Sequence, residues 1–267
     1  MSSISDKKRI VIKLGTSTLA HKTGKLNIRR MTGLVRVLAD LQNSGKEIVL
    51  VSSGAIGLGV GKLGLKERPS DTPSKQAAAA VGQCELMYMY DNFFDSYGVT
   101  VAQILLTKTI IGTERKKNIV NTFERLISMG VIPIVNENDT VAIDELELEI
   151  GENDSLSAIV ATLAKADLLI ILSDIDGLFD SDPHSSENAR LIPVVNQINE
   201  YIENIAGGAG TALGTGGMAT KINAAKIATS AGIDMIIMNG NDPDKLYDLF
   251  EDKPAGTLFK AIDQKGK

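Results

Sequence analysis

Six short stretches of this chain are rich in Ile, Val and Leu: Ile10-Val11-Ile12, Ile48 to Val51, Val99 to Leu106, Val131 to Val135, Leu168 to Leu172 and Met235 to Met238. Most are continuously apolar, without the alternation of a half-exposed strand. Strands of that kind are covered on both faces, as in a parallel sheet between helices. The intervening segments carry helical periodicity. Met31, Leu34, Val35, Leu38 and Leu41 form one apolar stripe before Gly45. Val120, Phe123 and Ile127 form a second, and Leu156, Ile159, Val160 and Leu163 a third. The pattern predicts an α/β fold, a three-layer sandwich with a largely parallel central sheet flanked by helices.

No Pro- or Ser-rich linker and no repeat interrupts this alternation, so a single domain is expected over residues 1–267, with its core at about 9–259. Three segments break the rhythm. Val141 to Gly151 is acidic and poor in apolar groups, as in a short hairpin or flap. Asp182 to Asn188 is a polar insertion, and Ala206 to Gly217 carries six glycines in twelve residues.

Charge and cysteine content narrow the class of partner. Lys and Arg number 28 against 33 Asp and Glu, a formal net charge of -5. Without a basic stripe, nucleic-acid binding is not expected, because phosphate neutralisation dominates that affinity. Cys84 is the sole cysteine, too few for an intramolecular disulfide, and its helical surroundings predict a partly buried position. No apolar run approaches the ~18 residues of a membrane span. Met1 to Arg9 is polar, with no apolar signal segment behind it. The cytoplasm is the expected location.

The chemistry collects where strands end. Lys13-Leu14-Gly15-Thr16-Ser17, Ser52-Ser53-Gly54-Ala55, Asn136-Glu137-Asn138-Asp139, Ser173-Asp174-Ile175-Asp176-Gly177 and Asn239-Gly240-Asn241 each follow an apolar run. Any one could be a plain turn, since Gly, Asn, Asp and Ser dominate turns. In an open α/β sheet, however, ligands bind at the carboxyl ends of the strands, and five such loops would line one crevice. The glycines at 15 and 54 suit an anion, because backbone N–H groups can approach its oxygens closely. Helix ends supply only ~0.3–2 kcal/mol, so phosphoryl transfer also needs fixed cations. Lys13 ends an apolar strand, where a lysine is rarely buried unless paired. Lys221 opens a helix after Gly214 to Thr220; alone it would read equally as an exposed lysine beside a loop. Asp154 precedes the Leu156 stripe, and is either a helix N-cap or a carboxylate that positions the lysines. Asp139 and Asn153 border the acidic segment, where a substrate amino group could be met. Asp174 could contact a nucleotide or cap a turn.

Several patterns are decoys. Gly59 to Gly64 matches G-x-G-x-x-G, and Gly214 to Ala219 its G-x-G-x-x-A variant, yet neither follows a strand as the dinucleotide fingerprint requires. No G-x-x-x-x-G-K-[ST] or G-x-S-x-G sequence occurs. His21 and His184 sit in polar loops without metal-ligand spacing.

The blocks Val11 to Ser17, Val51 to Ile56, Val135 to Asp139, Gly151 to Asp154 and Gly214 to Lys221 resemble the glutamate 5-kinases, a branch of the amino acid kinase superfamily. The likeness runs from about Arg9 to Phe259. It implies the amino acid kinase fold and ATP-dependent phosphorylation of the L-glutamate side-chain carboxylate, the first step of proline biosynthesis. Lys13 and Lys221 match the lysines that stabilise the transferring phosphoryl group, and Asp154 the aspartate that organises them. Ser53, Asp139 and Asn153 match substrate-binding positions. Lys13, Ser173, Asp174, Thr215, Gly216, Gly217, Met218, Ala219, Thr220 and Lys221 match ATP-binding positions. Mg²⁺ would be bridged by the nucleotide phosphates, with no protein ligand of its own. The resemblance also implies a homo-oligomer (dimer or tetramer), a proline feedback inhibitor, and hand-over of product to glutamate 5-phosphate reductase. Two departures stand out. Glu152 replaces the Asp of the usual G-D-N-D run, and the C-terminal PUA domain of many relatives is not expected here. The alternative reading is another kinase of the superfamily, acting on N-acetylglutamate, aspartate or a nucleoside monophosphate.

Overall fold

The computed structural model describes residues 3–15, 25–107, 114–141, 153–183, 186, 188–207 and 217–262. Its strands are β1 (Arg9–Leu14), β2 (Glu47–Val51), β3 (Val101–Leu106), β4 (Ile132–Glu137), β5 (Leu168–Ser173), β6 (Val194–Val195), β7 (Asp234–Asn239) and β8 (Thr257–Phe259). They make one sheet in the order β3-β4-β2-β1-β5-β7-β8-β6. The first six in that order are parallel. β8 runs antiparallel to β7, and β6 parallel to β8. The helices are α1 (Ile28–Asn43), α2 (Ala55–Leu63), α3 (Thr72–Asp95), α4 (Glu114–Ser128), α5 (Asn153–Leu163), α6 (Glu200–Gly207), α7 (Met218–Ser230) and α8 (Lys245–Phe250).

The unbroken apolar runs are explained by two separate cores. Successive strand side chains point to opposite faces. Ile10, Ile12 and Leu14 of β1 join Ile48, Leu50, Leu168 and Ile170 on one face. Val11 joins Val49, Val51, Leu169 and Ile171 on the other. The first face is covered by α1, α3 and α8 through Leu34, Leu38, Tyr90, Phe94 and Leu246. The second is covered by α4, α5 and α7 through Phe123, Leu156, Val160, Ala224 and Ala228. The expected three layers are therefore present. Local signals start the helices: Asn27 accepts from Arg30 N–H at 3.2 Å, and Asp71 from Ser74 N–H at 2.9 Å.

Two consequences position the site. Lys13 lies two residues beyond Val11, so the pleat directs it to the second face, toward α5 and α7. The chain fills the β2, β4 and β3 side of β1 first, then crosses to β5 on the other side. The carboxyl end of β1 is thus the topological switch point, where α/β sheets open a crevice.

Beside that crevice α2 and α3 cross at backbone contact. A Cβ on Gly82 would lie 1.7 Å from the Ala55 carbonyl oxygen, and one on Gly59 would lie 1.8 Å from that of Ala78. Gly82→Ala should therefore destabilise the protein by roughly 1–3 kcal/mol or more, through overpacking. At Gly57, also in α2, a Cβ would meet nothing within 4 Å. Gly57→Ala should be neutral or stabilise by up to ~1 kcal/mol. Urea unfolding of the two variants checks both; equal effects would contradict the crossing.

Candidate active site

Asp154 lies in the first turn of α5 and is fully buried. Its Oδ1 is 2.7 Å from Lys13 Nζ, and its Oδ2 is 3.2 Å from Lys221 Nζ. Lys13 and Lys221 are only 7% and 5% exposed. Thr220 Oγ1 lies 3.1 Å from Asp154 Oδ2 and 2.8 Å from the Gly217 carbonyl oxygen, and its one hydrogen serves either. Gly217 is the N-cap of α7, so Thr220 and Lys221 sit in that helix's first turn. α5 packs against both β1 and α7, which brings together three charges distant in sequence. The N-cap alternative for Asp154 is not what the structure shows, because both carboxylate oxygens are turned to the lysines.

Burial pushes the Asp154 carboxyl up, but the attraction of Lys13 and then Lys221 outweighs it and holds the group below its ordinary 3.8. A depressed carboxyl stabilises the fold above its unfolded pKa and loses that contribution as pH falls through the folded value. The triad is thus fully engaged at neutral pH. Two ammoniums fixed by one carboxylate at the switch point can receive the oxygens of a phosphoryl group.

A second buried cluster adjoins it. Asn153 Nδ2 donates to the Ser52 carbonyl oxygen and, at 2.8 Å, to Asn136 Oδ1. Asn136 Oδ1 also accepts from Glu137 N–H at 2.9 Å, and Asn136 Nδ2 donates to Gln83 Oε1 at 2.8 Å. Ser52 Oγ pairs with Tyr90 Oη at 2.9 Å, and burial raises the Tyr90 phenol. Ser53 is buried, and its Oγ has no hydrogen-bond partner among the described residues. Asp139 follows β4 in a short 3-10 turn, Asp139–Val141. Desolvation pushes its carboxyl up to about 6, although the positive charge of Arg68 pulls the other way.

At the end of β5, Ser173 Oγ donates to Asp174 Oδ1 at 3.1 Å, and the Ser173 carbonyl accepts from Gly240 N–H at 2.7 Å. Asn239 Nδ2 donates to Asp176 Oδ1 at 2.9 Å, tying this loop to the end of β7. Gly217, Met218 and Ala219 open α7. Thr215, Gly216 and Glu152 lie outside the described residues, as do the acidic segment beyond Val141, His21 and His184. Cys84 is exposed rather than partly buried; α3 turns it away from the stripe of Leu86, Tyr90 and Phe94.

Among the described residues no three His, Cys, Asp or Glu side chains gather to hold a metal. Both Asp154 oxygens already face ammoniums. Asp154 is therefore engaged as the counter-charge of the two lysines.

Sequence reading gave no role to Gln83, and it placed Asn136 only within the strand-end block Asn136 to Asp139. The available signal was a polar residue on a buried helical stripe: Gln83 lies three residues before Leu86 and four after Ala79, both buried.

Replacing Asp154 with Asn should cost roughly 3–5 kcal/mol of stability at neutral pH, because two buried ammoniums lose their counter-charge. Denaturant unfolding at pH 7 measures this; a loss under ~1 kcal/mol would show that solvent, not Asp154, balances the lysines.

The amino acid kinase family model matches residues 8–239. Glutamate 5-kinase of Clostridium perfringens is 54% identical over 262 residues, 97% of each chain. The Clostridium tetani enzyme is 55% identical over 260 residues, again 97% of each chain. That of Moorella thermoacetica is 52% identical across 96% of this chain and 68% of its own length. Among solved structures, UMP kinase from Bacillus anthracis superposes with TM-score 0.65 at 17% identity, covering 96% of this chain and 97% of that one. An isopentenyl phosphate kinase gives 0.66 at 14% identity, covering 94% and 100%; both likenesses establish the fold. Among the described residues no helix is long and apolar enough to cross a membrane. This chain belongs to the amino acid kinase family and, within it, to the glutamate 5-kinases.

Proposed function

We propose that the protein transfers the γ-phosphoryl group of ATP to the side-chain carboxylate of L-glutamate, giving L-glutamate 5-phosphate and ADP. The observation that carries this reading is the buried clasp of Lys13 and Lys221 on Asp154 at the carboxyl end of β1. Phosphoryl transfer asks mainly for in-line positioning and charge stabilisation. An ionised carboxylate oxygen forms the new P–O bond, and the bond from phosphorus to the β,γ-bridging oxygen breaks. A glutamate carboxyl has an ordinary pKa of ~4.3, so at neutral pH no proton need be removed. Lys13 and Lys221 stabilise charge on the transferring group, while Asp154 fixes their positions. Mg²⁺ held by the nucleotide phosphates would neutralise the β- and γ-oxygens. Ser173, Asp174 and the first turn of α7 form the nucleotide side of the crevice. Ser53, Asn153 and Asp139 form the acceptor side, with the Asp139 carboxylate meeting the substrate ammonium.

Hydroxylamine trapping with ATP, Mg²⁺ and glutamate should yield the glutamyl hydroxamate, and its absence would remove the substrate assignment. Lys221→Ala should lower kcat by roughly 100- to 1000-fold, the range for losing one preorganised charge-stabilising donor, while glutamate binding changes far less. Small, equal losses in both would remove the role given to that lysine.

The Asp139 value predicts a pH effect with a definite sign. The carboxylate is charged above about 6 and neutral below it, so KM for glutamate should rise as pH falls from 7 to 5, with KM for ATP not following. In Asp139→Asn the rise should vanish; its persistence in that variant would move the ammonium contact elsewhere.

A further inference from the structure

Hydrogen bonding to the main chain fixes how each buried amide beside the acceptor site is turned. Glu137 N–H can only donate, so the Asn136 atom it meets at 2.9 Å is the oxygen, and Asn136 presents Nδ2 to Gln83 at 2.8 Å. Gln83 must answer with Oε1, which leaves its Nε2 on the other side of the amide. That nitrogen is buried and has no acceptor among the described residues, and Gln83 as a whole is 9% exposed. The Ser52 carbonyl likewise can only accept, so Asn153 turns Nδ2 toward it and Oδ1 away. Gln83 follows Gly82, whose backbone presses on the Ala55 carbonyl two residues beyond Ser53. α3 also packs on the Asp139–Val141 turn. The linked residues therefore carry two donor groups with no partner among the described residues, Gln83 Nε2 and Ser53 Oγ, and two acceptors, Asn153 Oδ1 and, on the adjoining turn, the Asp139 carboxylate. Donors for an anion next to acceptors for a cation suit the zwitterionic head of an α-amino acid, while the lysines take the reacting end.

We propose that Gln83 is a specificity-determining residue whose Nε2 donates to an oxygen of the acceptor's α-carboxylate. The inference rests on the glutamate reading above and adds which end of the substrate this helix recognises. A buried N–H without a partner is costly, and a carboxylate oxygen entering the site satisfies it. An α-carboxamide exchanges one of the two acceptor oxygens for a donor and loses the charge, so it meets the donors of the site less well.

The test compares glutamate with its α-carboxamide, isoglutamine, in the wild type, Gln83→Glu and Gln83→Met. Gln83→Glu keeps an acceptor for Asn136 Nδ2 and replaces the donor with an acceptor. The wild type should favour glutamate; Gln83→Glu should raise KM for glutamate roughly tenfold or more, leave KM for ATP within about twofold, and shrink or invert the preference over the amide. Gln83→Met should raise KM for glutamate without favouring the amide. A purely packing role would move both acceptors alike, so an unchanged preference ratio in the folded variants overturns the proposal. Calorimetric titration of glutamate and the amide gives the same ratio without turnover. Failure of the wild type to form hydroxamate therefore counts against the glutamate reading, and the binding ratio decides separately on Gln83. If Gln83→Glu does not fold, the Gln83→Met titration decides: undiminished glutamate binding would overturn the assignment.

Discussion

A buried carboxylate shared by two ammoniums is the interaction around which this molecule is arranged. Removing three ionised groups from water is expensive, and their mutual attraction offsets that cost only with close contacts. Asp154 meets the condition from the first turn of α5, with Lys13 arriving from β1 and Lys221 from α7. Each element is held by apolar packing in the same core, through Val11, Leu156 and Ala225 among others. The hydrophobic layer thus supplies the rigidity that lets charges sit at fixed distances. A looser layer would let water in and weaken every electrostatic contact made there.

The crevice divides by chemistry. On one side lie the lysine clasp and short backbone-rich loops tied together by the Asn239–Asp176 and Gly240–Ser173 contacts. The other side is built from neutral amides and hydroxyls, with Asp139 at the rim. Neutral groups carry orientation through hydrogen-bond polarity, and each amide in the Gln83–Asn136–Asn153 series is fixed by its neighbour or by the main chain. Such a network costs little when satisfied and is exacting about what completes it.

Much of this was legible in the sequence, and the reason is physical. Strands covered on both faces must be apolar throughout, so β1, β2, β4, β5 and β7 announced themselves, and a lysine at the end of β1 stood out against Val11 and Ile12. The short strands β6 and β8 at one end of the sheet were not anticipated, since Val194–Val195 and Thr257–Phe259 are too brief for any period to register. The length of α3 was also hidden. Its run of alanines from 77 to 80 and its mixed polar positions blur the stripe that Leu86, Tyr90 and Phe94 make in three dimensions. Roles for Lys13, Lys221 and Asp154 were suggested by chemistry and by resemblance, and the structure joins them. Gln83 stayed out of reach because its importance depends on Asn136, which approaches from a strand 53 residues further along.

The same clasp has a consequence in time. Lys13, Asp154 and Lys221 are separated by long stretches of chain, and a ribosome adds roughly 5–20 residues per second. Lys13 is therefore made several seconds before the carboxylate that will hold it, and longer still before its fellow lysine. Until then the first strand has its β2 partner but not β5, which pairs with it from Leu168 onward. A sheet whose central strand waits for a late neighbour is a slow, non-local assembly. The Lys13–Asp154–Lys221 clasp is consequently among the last parts of the molecule to exist, and a half-made chain holds Lys13 without the carboxylate that fixes it.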